Sequence, residues 1–206
     1  MDVSRPISAV APSLEGEVLQ TLAGTTMAMT GRQVALLTGR RSHSGVLDAL
    51  HRLAEQGLVD RADLNRAFLF SLNRDHLAAG AVLELAGLRA ELVARLRREI
   101  EGWEIAPIHA SLFGSTARGD GDSHSDIDLF VVRPVAFLDE DPGWRTQLDG
   151  LAAKIERWTG NRASMSDVAE TEIPRLSAER PPIVEALSSE AVHLAGLPVT
   201  SLLGEQ

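Results

Sequence analysis

The stretch that most constrains this chain is Ser125-Asp126-Ile127-Asp128-Leu129-Phe130-Val131-Val132, in which two acids alternate into an unbroken apolar run. Residues Leu129 to Val132 are apolar on both faces of a strand, so the segment belongs in the middle of a sheet that is covered on both sides. Side chains two apart on a strand point the same way, which places Asp126 and Asp128 on one face at the sheet rim, about 7 Å apart. Two carboxylates that close repel each other. A divalent cation that neutralises both makes the pair tolerable, and ligation by oxygen alone favours Mg²⁺ or Mn²⁺.

Just upstream, Leu112-Phe113-Gly114-Ser115-Thr116-Ala117-Arg118-Gly119 reads as the end of another strand, a glycine-serine turn and the start of a helix. Free backbone N–H groups and the helix dipole attract phosphate at such a turn. Gly114 lets the backbone approach closely, Ser115 adds a hydroxyl donor, and Arg118 either neutralises phosphate charge or is a solvated surface residue. A phosphate cradle beside a metal-binding acid pair is the equipment of metal-assisted phosphoryl or nucleotidyl transfer. An acidic surface turn after a glycine-rich loop would explain either half alone; it does not explain both in register.

The Gly-Ser-x-Ala-Arg-Gly turn at Gly114 to Gly119 and the Ser-Asp-Ile-Asp-Leu strand at Ser125 to Leu129 resemble the nucleotidyltransferases of the DNA polymerase β superfamily, in particular their small bacterial members. A looser likeness runs from Ile105 to Gly196 and includes Trp158-Thr159-Gly160 ahead of a strand. The resemblance implies that Gly114 and Ser115 hold the triphosphate of an NTP and that Asp126 and Asp128 bind Mg²⁺. It also implies that an acceptor hydroxyl attacks the α-phosphate and releases pyrophosphate. The family usually adds a third carboxylate from a neighbouring strand, as metal ligand or base. In Arg162-Ala163-Ser164-Met165-Ser166-Asp167-Val168 the corresponding position is Ser164, and Asp167 has the opposite parity unless a bulge re-aims it. Asp167, Asp122 or Glu170 then supplies the third acid, or the site binds nucleotide with little catalysis. His124 flanks the acids, either as a proton shuttle or as a loop histidine.

Around these motifs, helical and extended patterns alternate after Gly102: strands near Ile105 to Phe113, Ile127 to Arg133 and Arg162 to Val168, a helix near Trp144 to Trp158, short helices near Thr171 to Leu176 and after Pro182, and a final strand near Ala191 to Leu194. That is a small α/β domain over residues 102–206, with a mixed sheet. Before it, Leu85, Leu88, Leu92, Leu96 and Ile100 share one helical face in a long linking helix over residues 77–101, a stripe that serves packing or the seam of a homodimer. Residues 14–76 carry three short helices and a hairpin (Leu58 to Ala62 with Ala67 to Leu72), preceded by a loose tail with Pro6 and Pro12. This half, and above all Val46 to Val59, resembles the winged helix-turn-helix domain of bacterial regulators. The resemblance implies DNA contact through the third helix, by Arg40, Arg41, Ser42, His43, Ser44 and Arg52, with Arg32 nearby and Arg66 at the wing tip. The expected class is therefore α+β: a winged helix, a linking helix and a nucleotidyltransferase domain.

Composition narrows the chemistry. With no Cys in 206 residues, thiolate zinc sites and Cys nucleophiles are excluded. No apolar run approaches the ~20 residues of a bilayer span and the first residues lack a signal-peptide core, so a cytoplasmic protein is expected. The net charge of −9 is unevenly spread: residues 1–101 hold 12 charges of each sign, and the deficit of 8 basic against 17 acidic lies beyond Gly102. A split of this kind suits two parts with different partners, one able to tolerate a polyanion and one that gathers carboxylates. Arginine supplies all but one of the basic residues, Lys154 being the single lysine; a GC-rich genome accounts for that bias without a function. The acceptor can be a protein, RNA or a small molecule. A second reading is a non-catalytic DNA-binding regulator or antitoxin, its transferase-like domain sensing nucleotide or gripping a toxin partner.

Overall fold

The computed structural model describes residues 1–39, 42–64 and 67–204. The chain forms two compact units, one of Arg5–Arg89 and one of Met1–Ser4 with Ala90–Gln206.

In the first unit, local capping chemistry sets the helix starts. Helix α1 (Leu14–Ala23) begins at Ser13, whose hydroxyl accepts from the Gly16 N–H at 3.3 Å. Helix α2 (Gly31–Leu37) opens on a reciprocal box: the Thr30 hydroxyl accepts from Gln33 N–H, and the Gln33 side chain accepts from Thr30 N–H at 2.8 Å. Ser42 caps α3 (His43–Glu55) in the same way as Ser13 caps α1. Between α1 and α2 lies β1 (Met29–Thr30), and after α3 come β2 (Val59–Leu64) and β3 (Ala67–Leu72), in an antiparallel sheet of order β1-β3-β2. A strand of two residues leaves no periodicity in the sequence, which is why β1 is not foreseen there. Val18, Val34, Val46, Leu50 and Phe70 form the buried centre of this unit.

Two expectations need correction. The opening residues are not a loose tail: Pro6–Ala9 form a turn of 3-10 helix, and Val3 and Ile7 are buried, the first in the core of the second unit and the second in the core of the first. The single helix expected over residues 77–101 is two helices, α4 (Ala79–Ala86) and α5 (Leu88–Glu101), divided at Gly87, a residue poorly suited to a helix interior. The leucine stripe is divided with it. Leu85 packs into the first unit, whereas Leu92, Leu96 and Ile100 are buried in the second, so the stripe serves intramolecular packing.

The second unit is built on a mixed sheet. Its strands are β4 (His109–Phe113), β5 (Ile127–Arg133), β6 (Ala163–Ala169) and β7 (Val192–Gly196), in the order β6-β5-β4-β7; β5 and β6 are parallel and the other pairs antiparallel. Strand β4 starts four residues later than the sequence suggests. Pro107 has no N–H to donate, and the Gln147 side chain takes both backbone groups of Ile105, at 3.0 and 3.1 Å. Helix α7 (Pro142–Thr159) covers one face, with Trp144, Leu148, Leu151 and Ile155 packed on Ile127, Leu129 and Val131. The other face receives α8 (Ile173–Glu179), α9 (Pro182–Glu190) and α10 (Val199–Leu203) on Phe130 and Val132. Helix α6 (Gly114–Arg118) joins β4 to the loop before β5. As the apolar run requires, β5 is an inner strand covered on both faces. Among the described residues no helix is long and apolar enough to cross a membrane.

His109 gives this unit a pH dependence. It is fully buried on β4, with Nδ1 2.6 Å from the Leu197 carbonyl and Nε2 2.9 Å from the Ser111 hydroxyl. A carbonyl only accepts, so Nδ1 carries the proton and Nε2 accepts from Ser111. Burial, offset in part by the Leu197 carbonyl, holds the His109 pKa below the usual value. The unfolded chain then takes up a proton near pH 6.5 that the folded chain refuses, so stability is full above that pH and falls as the pH drops through it. Urea midpoints measured from pH 8 to pH 5.5 are expected to fall, and His109→Gln should flatten that part of the curve while lowering the plateau.

Candidate active site

Sheet register brings the two motifs together. Asp128 pairs with Phe113 across the antiparallel β4–β5 ladder and with Ser164 across the parallel β5–β6 ladder. Gly114, the next residue after Phe113, therefore arrives beside the Asp128 side chain. Its φ of +70° is a left-handed conformation that glycine tolerates best, and a Cβ built there would strike the Asp128 carboxylate, with Cγ only 3.2 Å away. Both requirements exclude a side chain at position 114. Asp126 is exposed in the approach to β5, on the face of Asp128 by parity, and its carbonyl lies 3.5 Å from the Thr116 hydroxyl of α6.

The loop between α6 and β5 closes round the same place. A Cβ on Gly121 would meet the Ser115 hydroxyl at 3.0 Å and the Ser125 hydroxyl at 3.2 Å, so both hydroxyls converge on that glycine. Ser125 Oγ also accepts from Asp122 N–H at 2.9 Å and donates to Asp122 Oδ1 at 3.1 Å. Hydrogen bonds from the His124 N–H and then the Ser125 hydroxyl hold the Asp122 pKa below its ordinary value. That carboxylate is thereby committed to shaping the turn. His124 is exposed, its ring 3.2 Å from the Ser123 hydroxyl.

The electrostatics centre on Asp128. Burial pushes its pKa up, the Ser164 hydroxyl bonded to it and the Arg118 charge pull it down, and the charges of Asp126 and Glu190 raise it further. Arg118 is held at Nε by Asp120, 3.0 Å away, and at Nη1 by both oxygens of Glu190, at 2.9 and 2.8 Å. Its pKa is raised by these two carboxylates. Glu190 also accepts from the Gly114 N–H at 2.9 Å. Sequence reasoning missed Glu190, which lies 72 residues from Arg118; no local pattern marks it. Ser125 opens the Ser-Asp-Ile-Asp-Leu motif, whereas Gly121 is marked by no pattern in the sequence.

Of the third-acid candidates, Asp122 lies in this loop with its carboxylate bonded into the turn, and the other two are not brought to this place. Asp167 pairs with Val131, on the opposite face of the sheet, where it forms an ion pair with Arg133 and accepts from Trp144 Nε1 at 3.1 Å. Its parity is as the sequence implies, with no bulge to re-aim it. Glu170 follows the far end of β6, six residues beyond Ser164 or about 20 Å along the strand, and accepts from Val135 N–H at 3.3 Å. Among the described residues no three His, Asp or Glu side chains group as a metal site. Mg²⁺ in phosphoryl-transfer sites is typically held by one or two carboxylates, with substrate phosphates and water completing the shell. Asp126 and Asp128 fit that donor set.

In the first unit, Ser42, His43 and Ser44 stand exposed on the first turn of α3. Arg52 lies in its last turn, about 13 Å along the axis from His43, and is tied to Glu15 of α1 by Nε at 3.0 Å and by Nη2 at 2.5 Å. The structure thus separates Arg52 from the serines and supplies it with a partner. Arg32 is exposed on α2. Arg40, Arg41 and Arg66 lie outside the described residues.

Two substitutions test the central contact. The raised pKa means that the folded state holds the Asp128 proton more tightly than the unfolded state. Its charge therefore destabilises the fold at neutral pH, and the cost disappears as pH falls through the raised value. Thermal melts at pH 7.5 without divalent cations are expected to show Asp128→Asn melting above the wild type. Gly114→Ala should melt lower, losing roughly 1–2 kcal/mol from the left-handed backbone alone.

Comparison with known proteins agrees with this geometry. No curated protein matches the chain. The family model described as "Nucleotidyltransferase domain" matches residues 91–190, a span that holds the glycine-serine turn, both acids of β5, Ser164 and Glu190. Over residues 91–190 the chain is thus similar to a nucleotidyltransferase domain.

Proposed function

We propose that the second unit transfers a nucleoside monophosphate from an NTP to a hydroxyl on a protein, an RNA or a small molecule. The observation that carries this reading is the packing of Gly114 against Asp128, which puts the start of the glycine-serine turn and the acid pair within one side chain of each other. In this reading Gly114, Ser115 and Arg118 bind and orient the triphosphate, and Asp126 and Asp128 are the residues that would hold Mg²⁺ or Mn²⁺. The ion, when bound, offsets phosphate charge and polarises a phosphoryl oxygen. Positioning does the rest. The acceptor oxygen is lined up with the α-phosphorus, and the bond to the pyrophosphate oxygen breaks as the new ester forms.

The first unit is read as a winged helix that delivers this activity to nucleic acid. The order of α1, β1, α2, α3, β2 and β3, with a β1-β3-β2 sheet, supports the reading. Ser42, His43 and Ser44 would face a groove, with Arg40 and Arg41 beside them in sequence. Arg52 is better counted as a strut between α3 and α1 than as a DNA contact. A second reading, a DNA-binding regulator or antitoxin whose nucleotide site does not turn over, is favoured by one observation: Ser164, a neutral residue, stands opposite Asp128 where the family places its third acid.

Incubation with each labelled NTP, Mg²⁺ or Mn²⁺, and cell lysate should leave label on an acceptor, and Asp126→Ala or Asp128→Ala should abolish it at unchanged thermal stability or slightly above. Tight NTP binding with no label transferred would favour the regulator. For the first unit, mobility shifts over a salt series should show binding that Arg40→Ala with Arg41→Ala weakens. The log-log salt slope should flatten by about two units if each arginine neutralises one phosphate. Binding unaltered in that double variant would remove α3 from the interface.

A further inference from the structure

Glu190 is the last residue of α9, the end of a helix where the dipole disfavours negative charge. Its charge reaches Asp128, which also feels the charge of Asp126. The Glu190 side chain is nevertheless only 13% exposed. A carboxylate survives in that setting through its donors, and Glu190 has two: the Gly114 N–H, bonded to Oε1 at 2.9 Å, and the Arg118 guanidinium, bonded through Nη1 to both oxygens at 2.9 and 2.8 Å. These are the first N–H of the glycine-serine turn and the only cation seen bonded to that cluster among the described residues. A phosphate needs the same pair, since carboxylate and phosphate oxygens take N–H donors in the same geometry.

We propose that Glu190 is an internal competitor for the triphosphate, holding Gly114 N–H and Arg118 until a nucleotide displaces it, and so setting the affinity of the site. The proposal rests on the nucleotidyltransferase reading. It assigns Glu190 a role opposite to that of a third metal ligand: a ligand tightens nucleotide binding, a competitor weakens it. The rest of α9 need not move, because Val184 and Leu187 anchor the helix in the core and a rotation of the terminal side chain releases both donors.

Calorimetric titration of the full chain with inorganic tripolyphosphate, and with each of the four NTPs in Mg²⁺, separates the possibilities. Glu190→Ala frees both donors and is expected to bind about tenfold tighter than wild type, the scale of one charge-assisted contact. Glu190→Gln keeps an acceptor for the Gly114 N–H but loses the charge opposite Arg118, so it should fall between the two. Adding Arg118→Ala to Glu190→Ala should erase the gain. Melting curves report whether Glu190→Ala folds; if it does not, the near-isosteric Gln variant decides. Wild-type binding that Glu190→Gln leaves unchanged or weakens overturns the competitor and makes Glu190 a metal ligand or a brace for the turn. Absence of any triphosphate or NTP binding, in wild type and variants alike with Mg²⁺ or Mn²⁺, overturns the nucleotidyltransferase reading and the competitor with it.

Discussion

Everything at the candidate site depends on a charged carboxylate, Asp128, held at the end of a strand whose next five residues are fully or almost fully buried. The apolar run fixes β5 as an inner strand, because only there are both faces covered. Once β5 is inner, its partners are determined to the residue: Phe113 on one side, Ser164 on the other. A shift of one residue in either ladder would turn Asp128 toward α7 and bury it among Trp144, Leu148 and Ile155. The hydrophobic faces thus hold the register, and the register holds the carboxylate against the glycine turn. Binding chemistry at the rim is a by-product of core packing one residue further in.

Glycine marks the places where this packing leaves no room. Gly114 and Gly121 each face a polar side chain, not backbone: the Asp128 carboxylate in the first case, the Ser115 and Ser125 hydroxyls in the second. Such a fit brings the backbone of the turn directly against side-chain oxygens. It also explains why the loop from Gly119 to Ser125 is polar and short, with Asp122 bonded back to its own turn. Rigid loops preorganise donors, whereas flexible ones would lose entropy on binding.

Much of this was legible in the residues themselves. The acid pair and the glycine-serine turn are local patterns, and local patterns report directly on backbone geometry. The opposite parity of Asp167 followed from counting alone, and the register bears it out. The pairing of distant residues was not legible. Glu190 reaches Gly114 and Arg118 because α9 returns across the sheet, and Arg52 finds Glu15 because α1 and α3 pack together. Neither contact leaves a trace in spacing. The break at Gly87 was missed for another reason: the leucine stripe continues in phase across it, although its two parts serve different cores.

The charge balance of the site decides what form of ligand it can accept. Asp120, Asp126, Asp128 and Glu190 lie about a single guanidinium, Arg118, which two of them already neutralise. A nucleoside triphosphate brings several more negative charges into the same space. Without a cation, that charge meets the carboxylates in a partly desolvated rim, where like charges repel more strongly than in water. Two events change the sum: neutralisation of Asp126 and Asp128 by a divalent ion, and release of Arg118 from Glu190. The first removes like charge from the phosphate side and the second supplies opposite charge. Under the proposed transfer, the acidic character of the sequence beyond Gly102, which at first sight argues against a phosphate ligand, would make nucleotide binding conditional on a divalent ion.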